Sequence, residues 1–252
     1  MRSPEAIEIT RGGDADSVSV IGAEIPGENI LIKGCRYLRS RWGEEAFPYL
    51  SMRVFKHVPA GSGLGAGSGN AAALLRWFGE TCGPVLDAES ILPLGADVAF
   101  LASDADLAFV SGAGEVLNEI PESLDLRPVL FFPEWSSDTR EAYISLDRIK
   151  DRALLGEAES RAESRDVLDK LSGGRKAGLL PNDFIQCFKE QEDCYNALYD
   201  FVESSGALAW GLCGSGSACF ALYGRGGDSK SGRCLSEGSL SRFKWLKKVM
   251  FL

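Results

Sequence analysis

Hydrophobic and polar positions alternate most clearly in Tyr49 to Lys56, where Leu50, Met52, Val54 and Lys56 fall on one side of a predicted strand. Upstream, Ala6 to Thr10 and Ser17 to Ile21 read as short strands separated by the turn Gly12-Gly13-Asp14-Ala15-Asp16. Between these and the Tyr49 strand, Leu31, Cys35, Leu38 and Trp42 recur at helical spacing after Glu28-Asn29. They predict a helix with one apolar face against a sheet. A second helix is expected to run from the alanine cluster at 71–73 to about Phe78, before Gly83-Pro84. Asp87 to Leu92 reads as a short helix, Leu107 to Val110 and Glu115 to Ile120 as strands around Gly112-Ala113-Gly114, and Val129 to Phe132 as a buried strand closed by Pro133. Thr139 to Ile149 is predicted helical, and the highly charged 151–176 reads as exposed helix or insertion with mobile ends. A long helix is expected after the cap Leu180-Pro181-Asn182-Asp183, with Phe184, Phe188, Tyr195, Leu198 and Val202 as its buried stripe. Ala207 to Leu212 and Ala218 to Tyr223 predict strands around the turn 213–217. A loose loop over 224–238 and a last strand from Phe243 to Leu252 follow. Hairpins mixed with helices favour an α+β fold over a doubly wound sheet.

One stretch breaks the periodicity. Pro59 to Ala73 carries glycine at 61, 63, 65, 67 and 69 and runs into helix-forming alanines. Such a loop allows close backbone approach. Where it meets a helix start, unbonded N–H groups and the positive end of the dipole make an anion site, phosphate being the usual anion. The pattern G-x-x-x-x-G-K-[ST] is absent, and G-x-G-x-x-G fails at Ala66 and Ser68. Read on glycine content alone, a flexible turn competes with a phosphate loop.

Composition narrows the partners. The 252 residues carry a formal net charge of -9, which argues against nucleic acid or an anionic membrane as the main partner. No window approaches the roughly 18 apolar residues of a membrane span, and the N-terminal residues show no signal-peptide core. Seven cysteines without a C-x-x-C pair, together with the single His57, make a structural zinc site improbable and point to reduced, cytoplasmic thiols. His57 reads as a surface or loop residue.

Four stretches in order resemble the GHMP small-molecule kinases. They are the string Pro59-x-Gly61-x-Gly63-Leu64-Gly65-x-Gly67-Ser68-x-Asn70-Ala71-Ala72, then Leu94-Gly95-Ala96-Asp97-Val98, then Gly112-x-Gly114-Glu115-x-Leu117, and last Leu212 to Ala221 around Gly214-Ser215-Gly216-Ser217. The resemblance spans most of residues 5–223. It implies a two-domain fold, with a ribosomal protein S5 domain 2-like ATP-binding part over 1–126 and a ferredoxin-like part over 127–252. Within the family the likeness is to the branch that uses ATP and Mg²⁺ to phosphorylate a hydroxyl of a cytidine diphosphate-linked methylerythritol in non-mevalonate isoprenoid synthesis. The partner implied is thus a small nucleotide-linked alcohol, and the protein a cytoplasmic monomer or homodimer. By position, the resemblance assigns Pro59, Ala60, Gly61, Ser62, Gly63, Leu64, Gly65, Ala66, Gly67, Ser68 and Gly69 to the ATP phosphates, with Ser68 near Mg²⁺. Gly214, Ser215 and Gly216 belong to its third motif, Lys56 stands beside the nucleotide, and Asn29 and Ile30 lie on the adenine side. Asp97 matches the catalytic acid, in what the family presents as a strand-end motif.

Each of these residues also has a plainer reading. Asp97 would serve as a turn or cap residue, Lys56 as a solvated strand-end charge, and Ser215 and Ser217 as turn formers. The sequence also departs from the family. Its Pro-Ala-Lys-[Ile/Leu]-Asn-Leu motif and Asp-Gly-Tyr-His segment have no counterpart, so the lysine partner of the aspartate is missing. Gly69 stands where a second serine is usual. The favoured expectation is a chain starting at an internal methionine, hence unstable or oligomeric alone. A diverged homologue without transferase chemistry is the alternative. Three other readings stay open: a GHMP kinase for another alcohol such as homoserine or mevalonate, a nucleotide binder without catalysis, and a domain with no nucleotide site.

Overall fold

A computed structural model describes residues 5–22, 27–45, 47–83, 86–149, 155–225 and 237–252. The chain divides into two units, one made of residues 2–60 and 65–122 and the other of 61–64 and 123–252. The glycine stretch is therefore shared between them, changing unit between Ala60 and Gly61 and again between Leu64 and Gly65.

In the first unit, strands β1 (Glu5–Arg11), β2 (Ser17–Ile21) and β3 (Leu50–Lys56) form a sheet of order β1-β3-β2. The two N-terminal strands do not pair with each other: β1 runs antiparallel and β2 parallel to β3. The helix α1 (Ile30–Trp42) lies between β2 and β3 in sequence, as a parallel connection requires. Leu50, Met52, Val54 and Lys56 are all buried, as their alternation predicts. They face a core shared with Leu31, Cys35 and Leu38 of α1 and with Ala71, Leu74 and Phe78 of α2 (Ala66–Thr81). This second helix runs three residues beyond the expected end at Phe78. Short helices α3 (Ala88–Ile91) and α4 (Val98–Ala102) follow, joined by a 3₁₀ turn at Leu92–Leu94. A hairpin, β4 (Ala108–Ser111) with β5 (Val116–Glu119), completes the unit. Asp97 thus sits between a 3₁₀ turn and a helix, not at a strand end.

The second unit is a five-stranded sheet. Its strands are β6 (Leu126–Pro133), β7 (Gly178–Leu179), β8 (Ala209–Leu212), β9 (Cys219–Gly224) and β10 (Leu246–Phe251), in the order β10-β6-β9-β8-β7. All neighbours are antiparallel except β7 and β8. Helices α5 (Thr139–Asp147), α6 (Glu157–Ser172), α7 (Glu192–Ser204) and α8 (Glu237–Leu240) accompany it. The charged 151–176 segment is largely α6, which buries only Leu168 and Leu171; residues 151–154 lie outside the described set, as does most of the expected 224–238 loop.

Two expectations are corrected here. The long helix after Asn182 does not form as one piece: 3₁₀ turns at Asp183–Cys187 and Lys189–Gln191 precede α7. The break falls at Phe188, whose backbone leaves helical geometry at φ -110° and ψ 41°. Its buried ring packs on Tyr195 and closely against Gly216, where a Cβ would lie 2.5 Å from Phe188 Cζ. A tertiary contact overrides helical continuity. The last strand starts at Leu246 rather than Phe243, because Phe243 turns into the core, its ring against those of Phe201 and Trp245.

Candidate active site

In the first unit the glycine row enters α2. Gly65 occupies the N-cap position in the left-handed conformation, φ 63° and ψ 20°, and no side chain caps the helix. The first turn holds no acidic residue. Gly69 N–H already bonds Gly65 C=O at 2.7 Å, so the helical ladder starts there and the N–H groups ahead of it lie outside the ladder. A Cβ built on Gly67 or Gly69 would meet nothing within 4 Å. Open backbone at the positive end of a 16-residue helix fits a phosphate chain.

Asp97 stands at this helix start. A Cβ on Gly65 would lie 3.7 Å from Asp97 Oδ2, and one on Gly95 would lie 3.8 Å from Ser68 Oγ. The residue occupies the N-cap position of α4, yet its carboxylate makes no capping bond. Its φ of -80° and ψ of -13° are helical, whereas a capping side chain needs an extended backbone. The carboxylate is exposed instead. What holds it is the turn Gly112–Gly114: Gly114, at φ +113°, lies so close to the Ala96 peptide that a Cβ would come within 2.7 Å of the Ala96 carbonyl carbon. Glu115 Oε2 accepts from Ala113 N at 2.7 Å and closes that turn. The Gly112–Leu117 motif is visible in the sequence but its role is not, since a backbone-to-backbone contact leaves only a glycine as its trace.

The other predicted nucleotide residues of this unit are placed less openly. Lys56 is buried, not solvated, and its Nζ pairs with Glu5 Oε1 at 2.7 Å. Asn29 caps α1, its Oδ1 accepting from Leu31 N at 2.9 Å, and Ile30 packs against the core. Pro59 is half-buried, while Ala60 is exposed, as is His57 just past β3.

In the second unit, residues 61–64 are sewn to the 213–218 turn. Gly61 C=O accepts from Ser137 N and Ser217 N, each at 3.0 Å, and Ser62 C=O accepts from Ala218 N at 3.1 Å. Gly63 lies against Cys213 C=O, and a Cβ there would also come within 2.7 Å of Gly216 N. A Cβ on Gly214 would reach 2.6 Å from Gly63 O. Gly63 and Gly214, both at positive φ, therefore interlock with no room for a methyl. Ser215 Oγ bonds Thr139 Oγ1 at 3.0 Å, and Ser217 Oγ donates to Trp135 C=O at 2.6 Å. Below them the buried Tyr195 hydroxyl accepts from Trp135 Nε1 and donates to Ser217 C=O, both at 2.9 Å. Burial pushes that hydroxyl above its ordinary pKa, keeping it a donor.

Among the described residues no cluster of three His, Cys, Asp or Glu side chains forms, and no helix is long and apolar enough to cross a membrane. A hard cation brought by phosphates would meet oxygen donors of the kind Ser68 and Asp97 offer.

Fold and site together define a small-molecule kinase of the GHMP class, and the model for the GHMP kinases N terminal domain matches residues 29–113. The chain is 35% identical over 204 residues to a 4-diphosphocytidyl-2-C-methyl-D-erythritol kinase of Thermotoga petrophila, covering 79% of this chain and 72% of that protein. It is 30% identical over 226 residues to the kinase of the same name from Chlorobium luteolum, covering 86% of this chain and 76% of the relative. A crystal structure of 4-(cytidine 5'-diphospho)-2C-methyl-D-erythritol kinase shares the fold at a TM-score of 0.68 and 21% identity, over 98% of this chain and 84% of that one. The chain belongs to the 4-diphosphocytidyl-2-C-methyl-D-erythritol kinase family.

Proposed function

We propose that the chain transfers the terminal phosphoryl group of ATP to a hydroxyl of 4-diphosphocytidyl-2-C-methyl-D-erythritol, as a cytoplasmic enzyme of isoprenoid synthesis, monomeric or homodimeric. The observation that carries this reading is Asp97, an exposed carboxylate at an N-cap position that caps nothing and stands beside the open start of α2. Bound ATP with Mg²⁺ supplies the phosphoryl group and neutralises its developing charge. The α2 N-terminus from Gly65 to Ser68, ahead of the first helical hydrogen bond, donates backbone N–H groups to phosphate oxygens, and Ser68 adds a hydroxyl for phosphate or metal. The family resemblance also assigns residues 59–64, the Gly214–Gly216 turn, Asn29 and Ile30 to the nucleotide. Asp97 accepts or orients the proton of the attacking hydroxyl, the one proton this reaction asks protein to handle. Lys56 serves a nucleotide only by leaving Glu5, and its buried pair favours a role in joining β1 to β3.

A coupled ADP-release assay with the diphosphocytidyl alcohol tests this. Turnover is expected, and Asp97→Asn should lower kcat by about 10²–10⁴ with nucleotide affinity kept. Unchanged kcat in that variant, or turnover of homoserine or mevalonate alone, would refute the assignment.

A further inference from the structure

The side chain of Asn182 is bonded at every polar position that matters to the second glycine turn. Its Nδ2 donates to Leu212 C=O at 3.1 Å and to Gly214 C=O at 2.9 Å. Its Oδ1 accepts from Phe184 N at 2.9 Å. An amide has two donor hydrogens on nitrogen, and here both meet carbonyls while the oxygen meets an N–H. The reverse orientation would set oxygen against oxygen, so the network fixes the amide one way round. The two carbonyls it holds bracket Cys213. Cys213 C=O is the group against which Gly63 packs, and it accepts from Gly216 N at 2.8 Å. The amide thereby clamps both ends of the peptide pair on which the tip of the first glycine loop rests. In the sequence Asn182 reads as part of a helix cap. It does cap the following 3₁₀ turn, but that role uses only its oxygen.

We propose that Asn182 is a positioning residue for the nucleotide loop: through the Gly214 turn it sets the backbone of Gly61–Leu64 for phosphate. The inference rests on the reading of residues 59–69 as a nucleotide phosphate loop. Asn182 touches no reacting group, and its effect is on how tightly a nucleotide is held.

The test separates the two roles of the amide. Asn182→Asp keeps the oxygen that accepts from Phe184 N but cannot donate to the two carbonyls, whereas Asn182→Ala loses both functions. Calorimetric titration of the full chain with Mg-ADP should show affinity about tenfold weaker for either variant, the scale of losing the ordering supplied by two hydrogen bonds. Steady-state kinetics should show KM for ATP rising by a similar factor, with KM for the alcohol within twofold. Ser205→Ala is the control for general destabilisation. Ser205 Oγ donates to Val202 C=O and bonds Tyr223 Oη in the same unit, and it bonds neither glycine turn. That variant should melt lower and bind Mg-ADP as the wild type does. Wild-type affinity in Asn182→Asp, or equal weakening in Ser205→Ala, overturns the inference. A wild type that binds Mg-ADP without phosphorylating the alcohol overturns the proposed reaction and leaves Asn182 to be judged by binding alone. A wild type that binds no nucleotide overturns both.

Discussion

Substituting Gly67 by alanine separates a phosphate loop from a merely flexible one, because the two readings predict opposite signs. Gly67 lies in the first turn of α2, and a Cβ there meets nothing within 4 Å. For the fold alone the methyl is favourable: alanine in place of glycine stabilises a helix by about 0.5–1 kcal/mol. In a chain of this size that raises the melting temperature by about 1–4 °C. If phosphate binds there as proposed, the same methyl would crowd its approach to the helix N–H groups. Losing one hydrogen bond to a charged phosphate oxygen removes about 1.5–3 kcal/mol, or roughly ten- to hundredfold in affinity. Thermal melts with and without Mg-ATP read both effects at once. At a hundred times Kd the nucleotide adds about 2.7 kcal/mol to the wild type, but after a hundredfold loss it adds only about 0.4 kcal/mol. The variant should therefore melt above the wild type when free and below it with nucleotide present. If Gly67→Ala stays above the wild type in Mg-ATP by its ligand-free margin, no phosphate lies at the α2 N-terminus.

Other expectations follow from buried groups. Asp16 makes a two-pronged pair with Arg39, Oδ2 to Nη1 at 2.6 Å and Oδ1 to Nη2 at 2.7 Å, and also accepts from Leu50 N. Both side chains are nearly buried, so Asp16→Ala should cost about 3–5 kcal/mol in denaturant melts, and a loss under 1 kcal/mol would show the pair to be dispensable. Burial raises the Cys35 and Cys213 thiols from an ordinary 9.0 to about 12, and the Cys219 thiol further. These three should resist a thiol reagent at pH 8 until denaturant is added; rapid labelling of the native protein would contradict the packing. Since the folded thiols keep protons that the unfolded chain loses, stability should fall as pH rises from about 9 toward 12. Asp97→Asn should leave the ligand-free melting temperature unchanged, because the carboxylate caps nothing.

Much of the architecture was legible from local pattern. The two-residue period of Leu50, Met52 and Val54 and the helical spacing of Leu31, Cys35 and Leu38 survive in the buried core of the first unit. What the pattern missed was set by distant partners. Strands β1 and β2 look like a hairpin in sequence, yet both take β3 as neighbour, and no local signal distinguishes the two pairings. Phe188 belongs to the apolar stripe of a helix, but the contact with Gly216 that breaks the helix there joins residues 28 positions apart. Asp97 was visible only through its motif, since a lone acid before Val98 has the composition of a cap. The structure supplies the missing physical distinction, a helical backbone and an unengaged cap position.

The four motifs divide the work by chemistry more sharply than their shared glycines suggest. Around Gly214, both serine hydroxyls are engaged inward: Ser215 with Thr139, and Ser217 with the Trp135 carbonyl. Ser215 and Ser217 are 8% and 3% exposed, so this motif has backbone rather than hydroxyls to present outward. Its glycine at 214 exists to admit Gly63, not to free the chain. At Gly67 and Gly69, by contrast, a Cβ would meet nothing within 4 Å, so side-chain packing gives no reason for glycine there. A helix start gains stability from alanine at such positions, and the forgone gain is what the proposed phosphate loop would require if a ligand approaches the backbone. Gly114 serves a third end, holding the Ala96–Asp97 peptide in place. Substituting glycine by alanine along these motifs should thus sort them into positions that damage the fold, such as 63, 114 and 214, and positions that damage only nucleotide binding, such as 67 and 69.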